Sequence, residues 1–131
     1  MSWCGLWHTP RRLVAVVVDR NGVPAPPISV PRTDDARWAF VASLPCASFA
    51  LVLTDSLARD DAIAAIAVRH GARVWIAPTS VVEGVRELVG FTGRHPKMSA
   101  ALLARWPSVP VLRGYLRLAA PDVDQRQMRL C

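Results

Sequence analysis

The chain has almost no lysine, with Lys97 alone, and a single tyrosine. Its three cysteines (Cys4, Cys46, Cys131) and three histidines (His8, His70, His95) share no ligand spacing. That excludes a zinc finger or ribbon, and the odd cysteine count argues against a disulfide framework. Each cysteine reads as a packed or merely exposed thiol. No Gly-x-Ser-x-Gly elbow surrounds Ser43, Ser56, Ser80 or Ser99, and Gly90-Phe91-Thr92-Gly93 lacks the Gly-Lys-Ser/Thr ending of a phosphate loop. The start has no long apolar core behind a basic end, and Trp7-His8-Thr9-Pro10-Arg11-Arg12 interrupts any signal-like pattern. The expectation is a cytoplasmic protein without membrane contact. With no internal repeat and no linker, residues 1–120 read as one domain and 121–131 as a mobile polar tail.

Arginine, proline and tryptophan take up the room. The formal charge is +6, and from Arg86 onward eight basic residues face three acids. Arg86, Arg94, Lys97, Arg105, Arg113 and Arg117 are the candidates there for contact with nucleic acid, since guanidinium is a bidentate phosphate ligand. The plainer account is arginine on ordinary solvated faces, because no aromatic platform is interleaved with it. Five tryptophans read first as core, although an exposed one near the first strand would mark a partner surface.

Leu13 to Val18 is a wholly apolar, mostly β-branched run between arginines and Asp19-Arg20-Asn21-Gly22. Such a run suits a strand covered on both faces, so helices should pack above and below a sheet. Trp3 to Trp7 forms a strand before it, and Asn21-Gly22 a hairpin after it. Pro26 to Pro31 follows as a proline-guarded edge strand. Thr33 caps a helix over Ala36–Leu44, with Trp38, Val41 and either Phe40 or Leu44 facing the sheet, and Pro45 ends it. Phe49–Leu53 is a buried strand, Ala58–His70 a helix stopped by Gly71, and Arg73–Ala77 a further strand. Ser80-x-x-Glu83 reads as a capping box for a helix to Val89, with Val82, Val85 and Val89 inward. Pro96 suits a first helical position before Met98–Trp106, and a strand or short helix follows Pro107.

The order of elements, together with Gly5-Leu6-Trp7, the Val14-to-Gly22 hairpin, Gly71-to-Pro78 and Ser99-to-Arg105, resembles a transposase family. It is similar to the RuvC-like, ribonuclease-H-like N-terminal domain of insertion-sequence transposases and Piv-like invertases, over residues 3 to 106. The resemblance implies an α/β fold: a mixed sheet of three antiparallel strands and two βα crossovers, helices on both faces, and a further C-terminal helix or strand. It also implies four carboxylates that hold two Mg²⁺ ions for phosphodiester attack. Here Trp7 stands at the first acid position, Pro96 and Ser99 stand at the later pair, and only Asp55 is retained.

One carboxylate cannot hold two hard divalent ions. The leading expectation is therefore a non-catalytic ribonuclease-H-like protein from a mobile element, with no cofactor. It would bind a second copy, a protein partner or nucleic acid. One alternative is a Mg²⁺-dependent nuclease or strand-transfer remnant using Asp19, Asp55, Asp60 or Asp61. Against it, turn and cap roles account for all four aspartates. Another alternative is a basic DNA-binding accessory protein.

Overall fold

A computed structural model describes residues 2–44, 49–90 and 95–119. Pro45, Cys46, Arg94, Cys131 and the tail expected from 121 lie outside the described residues. The strands are β1 Ser2–His8, β2 Arg12–Val18, β3 Ile28–Pro31, β4 Phe49–Thr54, β5 Arg73–Ala77 and β6 Arg117–Leu118. The helices are α1 Asp34–Ala42, α2 Asp55–Asp60, α3 Ile63–Arg69, α4 Thr79–Leu88, α5 Pro96–Arg105 and α6 Pro110–Arg113, with a 3-10 turn at Trp106–Ser108.

All six strands form one mixed sheet in the order β3-β2-β1-β4-β5-β6. The first three pair antiparallel, β1–β4 and β4–β5 pair parallel, and β6 returns antiparallel. The protein is thus α/β with a mixed sheet and helices on both faces. The apolar run of β2 is covered twice. Leu13 and Ala15 pack with Phe40, Val41, Leu51, Leu53 and Ile63, under α1 and α3. Val14, Val16 and Val18 pack against Ala100 and Ala104 of α5. Each such side chain taken fully out of water contributes about 1.5–3 kcal/mol, so this strand is a principal anchor of the fold.

Gly5 fixes how closely α5 sits. A Cβ there would lie 1.9 Å from the Ala100 carbonyl oxygen and 2.6 Å from the Ala104 nitrogen. Helix backbone rests directly on strand backbone, and only a residue without a side chain permits that. Trp106, fully buried beyond the end of α5, donates its Nε1–H to the Leu112 carbonyl at 2.7 Å and ties α6 to the layer.

Several boundaries differ from the sequence expectations for identifiable reasons. The helix expected over 58–70 is two helices, because Asp61 is extended (φ −133°) and caps both sides of the break. Its backbone N–H returns to Leu57, and its carboxylate accepts from the Ile63 N–H at 2.9 Å. Helix α4 starts at Thr79 behind Pro78 and has no side-chain cap, so Ser80 is not a capping residue. Glu83 pairs instead with Arg86 at 2.8 Å. Val82 points inward, whereas Val89 is half exposed. In α1 the buried residues are Phe40 and Val41, while Trp38 is 42% exposed; the inner side near it is taken by Arg37, which reaches Asp61. The stretch after Pro107 holds both a short helix, α6, and a strand, β6.

Candidate functional site

Strands β1 and β4 run parallel, with Gly5 opposite Val52, so Trp7 and the Thr54–Asp55 junction emerge at the same end of the sheet. Side chains alternate along a strand, and Trp7 therefore projects to the α5 face while His8 projects to the opposite one. Trp7 packs at the seam between the α5 cluster and the cluster containing Val52, Val82, Leu103 and Trp106.

Over the indole lies a buried cation. The Arg86 guanidinium carbon is 4.8 Å from the Trp7 ring centroid. Its Nε donates to the Ser99 hydroxyl at 3.0 Å and its Nη1 to Glu83 at 2.8 Å. Ser99 is wholly buried and Arg86 nearly so. The local sequence explains the arrangement. Glu83 and Arg86 are three apart on α4 and so share a helix face. Ser99 sits on the face of α5 that also carries Ala100, Leu103 and Ala104, held inward by the Gly5 contact. Two of the three positions that the resemblance assigns to missing acids, Trp7 and Ser99, therefore meet around one guanidinium. Pro96, the third, stands at the start of α5, one turn before Ser99.

The four candidate carboxylates do not converge. Asp19 follows β2, which runs antiparallel to β1, so it lies at the far end of the sheet from Asp55, about 20 Å away by strand length. Its Oδ1 accepts from the Asn21 and Val23 N–H groups inside its own turn. Asp55 begins α2 and accepts from both the hydroxyl and the backbone N–H of Thr79. The Thr79 hydroxyl, with backbone N–H bonds and Arg59 adding to it, holds the Asp55 carboxyl below its ordinary value against the effect of burial. Asp60 is exposed and pairs with Arg59.

Asp61, expected on a helix N-terminus, does accept from the first N–H of α3 and is also the centre of an ion cluster on the α1 face. Its side chain is fully buried, with Arg32 at 2.9 Å and Arg37 at 2.8 Å. Burial alone would raise this carboxyl, but hydrogen bonds from Arg37, the Ile63 N–H and Arg32 prevail and keep it below the usual range. Arg32 also reaches the Thr9 carbonyl, so the cluster ties the β1–β2 turn and the start of α1 to the α2–α3 break. His8 stands near it. Burial and the neighbouring Arg32 lower its pKa. Among the described residues, no three His, Cys, Asp or Glu side chains gather as a metal-holding group.

The basic candidates divide. Arg86 is directed inward and is engaged as above. Lys97 and Arg105 are exposed on α5, Arg113 is exposed at the end of α6, and Arg117 lies on the edge strand β6 opposite Ile76. Sequence reasoning overlooked Thr79, Arg32, Arg37 and the role of Glu83. Of these, only the Glu83–Arg86 spacing carried a signal that could have been read. No helix is long and apolar enough among the described residues to cross a membrane. No protein-family model matches the chain, and no curated protein matches it.

Proposed function

We propose that the chain is a ribonuclease-H-like scaffold that has exchanged phosphodiester chemistry for binding, and that it acts by engaging another macromolecule. The strand order, with three antiparallel strands and then parallel neighbours reached through helices, supports the scaffold reading. The observation that carries the loss of chemistry is the Arg86 guanidinium, 4.8 Å over Trp7 and hydrogen-bonded to Ser99.

A two-ion centre needs several carboxylate oxygens around exchangeable dications. The residues present do not fit Mg²⁺. The Arg86 guanidinium over Trp7 fills this space with a fixed cation, and Glu83, the carboxylate beside it, is already engaged in pairing with that guanidinium. Asp55, the one carboxylate that the resemblance retains, is engaged by the Thr79 hydroxyl and N–H and cannot alone replace the water shell of two ions. Trp7 adds bulk and an apolar face where an oxygen ligand is required. Arg86 thus does the structural work of a bound cation, neutralising and filling the space between α4, α5 and β1.

The direct test is incubation of the full chain with duplex and branched DNA in millimolar Mg²⁺ or Mn²⁺. The expected result is intact DNA and a melting temperature that these ions leave unchanged. Specific cleavage that disappears in Asp55→Asn would overturn the reading.

A further inference from the structure

Helix α5 runs alongside β2 in the same direction. Lys97 lies beside Arg12 and Val14 at one end, and at the other end the Arg105 Nη2 lies 3.4 Å from the Gly22 carbonyl. Lys97, Ala101 and Arg105 are four residues apart, so they share one side of the helix over about 12 Å. Beside Lys97 is a cleft of about 250 Å³ lined by Arg12, Val14, Pro27, Ile28, Ser29 and Lys97. Two cations and a hydroxyl converge there from β2, β3 and α5. No carboxylate is among its described lining residues. The acid of the adjoining loop, Asp19, has its Oδ1 occupied by the Asn21 and Val23 N–H groups. The result is a cationic cleft with an exposed Pro27–Ile28 wall, and Arg105 extends the basic side of α5 beyond it.

We propose that this cleft and the basic side of α5 beyond it form a binding site for the phosphodiester backbone of a nucleic-acid strand. Arg12, Lys97 and the Ser29 hydroxyl take one phosphate, and Arg105 takes another further along the strand. The arginine fork suits phosphate oxygens, and the Pro27–Ile28 wall offers apolar contact to a sugar or base face. A single small anion would use the cleft alone and leave Arg105 uncontacted. A chain net charge of +6 adds long-range attraction for a polyanion. The inference rests on the reading that the protein binds without cutting, and it names what is bound.

The test is fluorescence anisotropy of a labelled single-stranded oligonucleotide with the full chain between 50 and 200 mM salt. Two neutralised phosphates predict a log–log salt slope near −1.4; Arg105→Gln should make it shallower by about 0.7, and Arg12→Gln and Lys97→Gln, which share the other phosphate, by about half as much each. Arg69→Gln, exposed on α3 on the opposite face of the sheet, should leave the slope unchanged. All of these side chains are exposed, so the variants should fold as the parent does. Unchanged slopes in these three variants would overturn the proposal. So would displacement of the oligonucleotide by inorganic phosphate at equal phosphate concentration, or equal competition by polyglutamate, since these point to a small-anion site or to acidic peptide. Cleavage of the oligonucleotide with Mg²⁺ would instead count against the non-catalytic reading, so the two failures are distinguishable.

Discussion

Replacing Gly5 by alanine places a methyl group 1.9 Å from the Ala100 carbonyl oxygen and 2.6 Å from the Ala104 nitrogen. Both are backbone atoms of a helix, so no side-chain rotation relieves the overlap. To regain an ordinary contact of 3.4 Å, α5 must withdraw by about 1.5 Å. A gap of 0.5–1 Å already forfeits a quarter to a half of the dispersion energy across it, and α5 faces Val14, Val16 and Val18 along this seam. The expected loss is about 3 kcal/mol, the upper end of the overpacking range. With a urea dependence of about 1.5–2 kcal/mol per molar, the midpoint should fall by about 1.5–2 M, and the melting temperature by about 10 °C. Ala100→Gly should not rescue Gly5→Ala, because the clash is with the carbonyl and not with the methyl. Trp7 fluorescence should change as well, since Ser99 moves with α5 and releases the guanidinium above the indole. A midpoint within about 0.3 M of the parent would refute this account of how α5 is seated.

Acid stability should depend on Asp61. Its carboxyl is held below the unfolded value, so its contribution is complete above an ordinary carboxylate pKa near 3.9 and is lost as pH falls through the lower folded value. Asp61→Asn should cost about 3 kcal/mol at pH 7, with Arg32 and Arg37 partly relaxing into water, and the cost should shrink below pH 4 in acid titrations of urea midpoints. An equal cost at pH 7 and pH 2 would exclude the ion cluster as its source. Cys4, whose thiol is pushed up to about 12 by burial, should be inert to a disulfide reagent in the folded chain. In a chain carrying Cys46→Ser and Cys131→Ser, thiol release should track global unfolding in urea, and prompt native-state reaction would contradict the burial of β1.

The parts of the fold legible in sequence were those set by local patterns. The Leu13–Val18 run declared a strand covered on both faces, Thr33 declared a cap, and Gly71 a left-handed stop (φ 87°). Prolines marked β3 as an edge. The site was legible only as three positions that the resemblance singled out, Trp7, Pro96 and Ser99, because its geometry depends on contacts between distant elements. Arg86 counted as one more basic residue until α4 and α5 packed together and turned it inward. Asp61 looked like a helix-start acid beside Asp60, but the arginines that make it a buried hub come from 24 and 29 residues earlier. Ser80 and Glu83 matched a capping pattern that Pro78 and the Asp55–Thr79 pairing pre-empted.

The two rims of the sheet bear on how copies of this chain can meet. One rim is the four-residue β3, which ends in Pro31 and follows Pro26 and Pro27, and prolines have no N–H to offer a newcomer. The other is the two-residue β6, helped by Ala119, whose N–H reaches the Val74 carbonyl at 2.7 Å. Among the described residues, neither rim is a template on which sheets could extend from molecule to molecule into fibrils. Crowded copies of this chain should therefore remain dispersed or pair through side chains on helical surfaces, and light scattering at high concentration should stay flat with time.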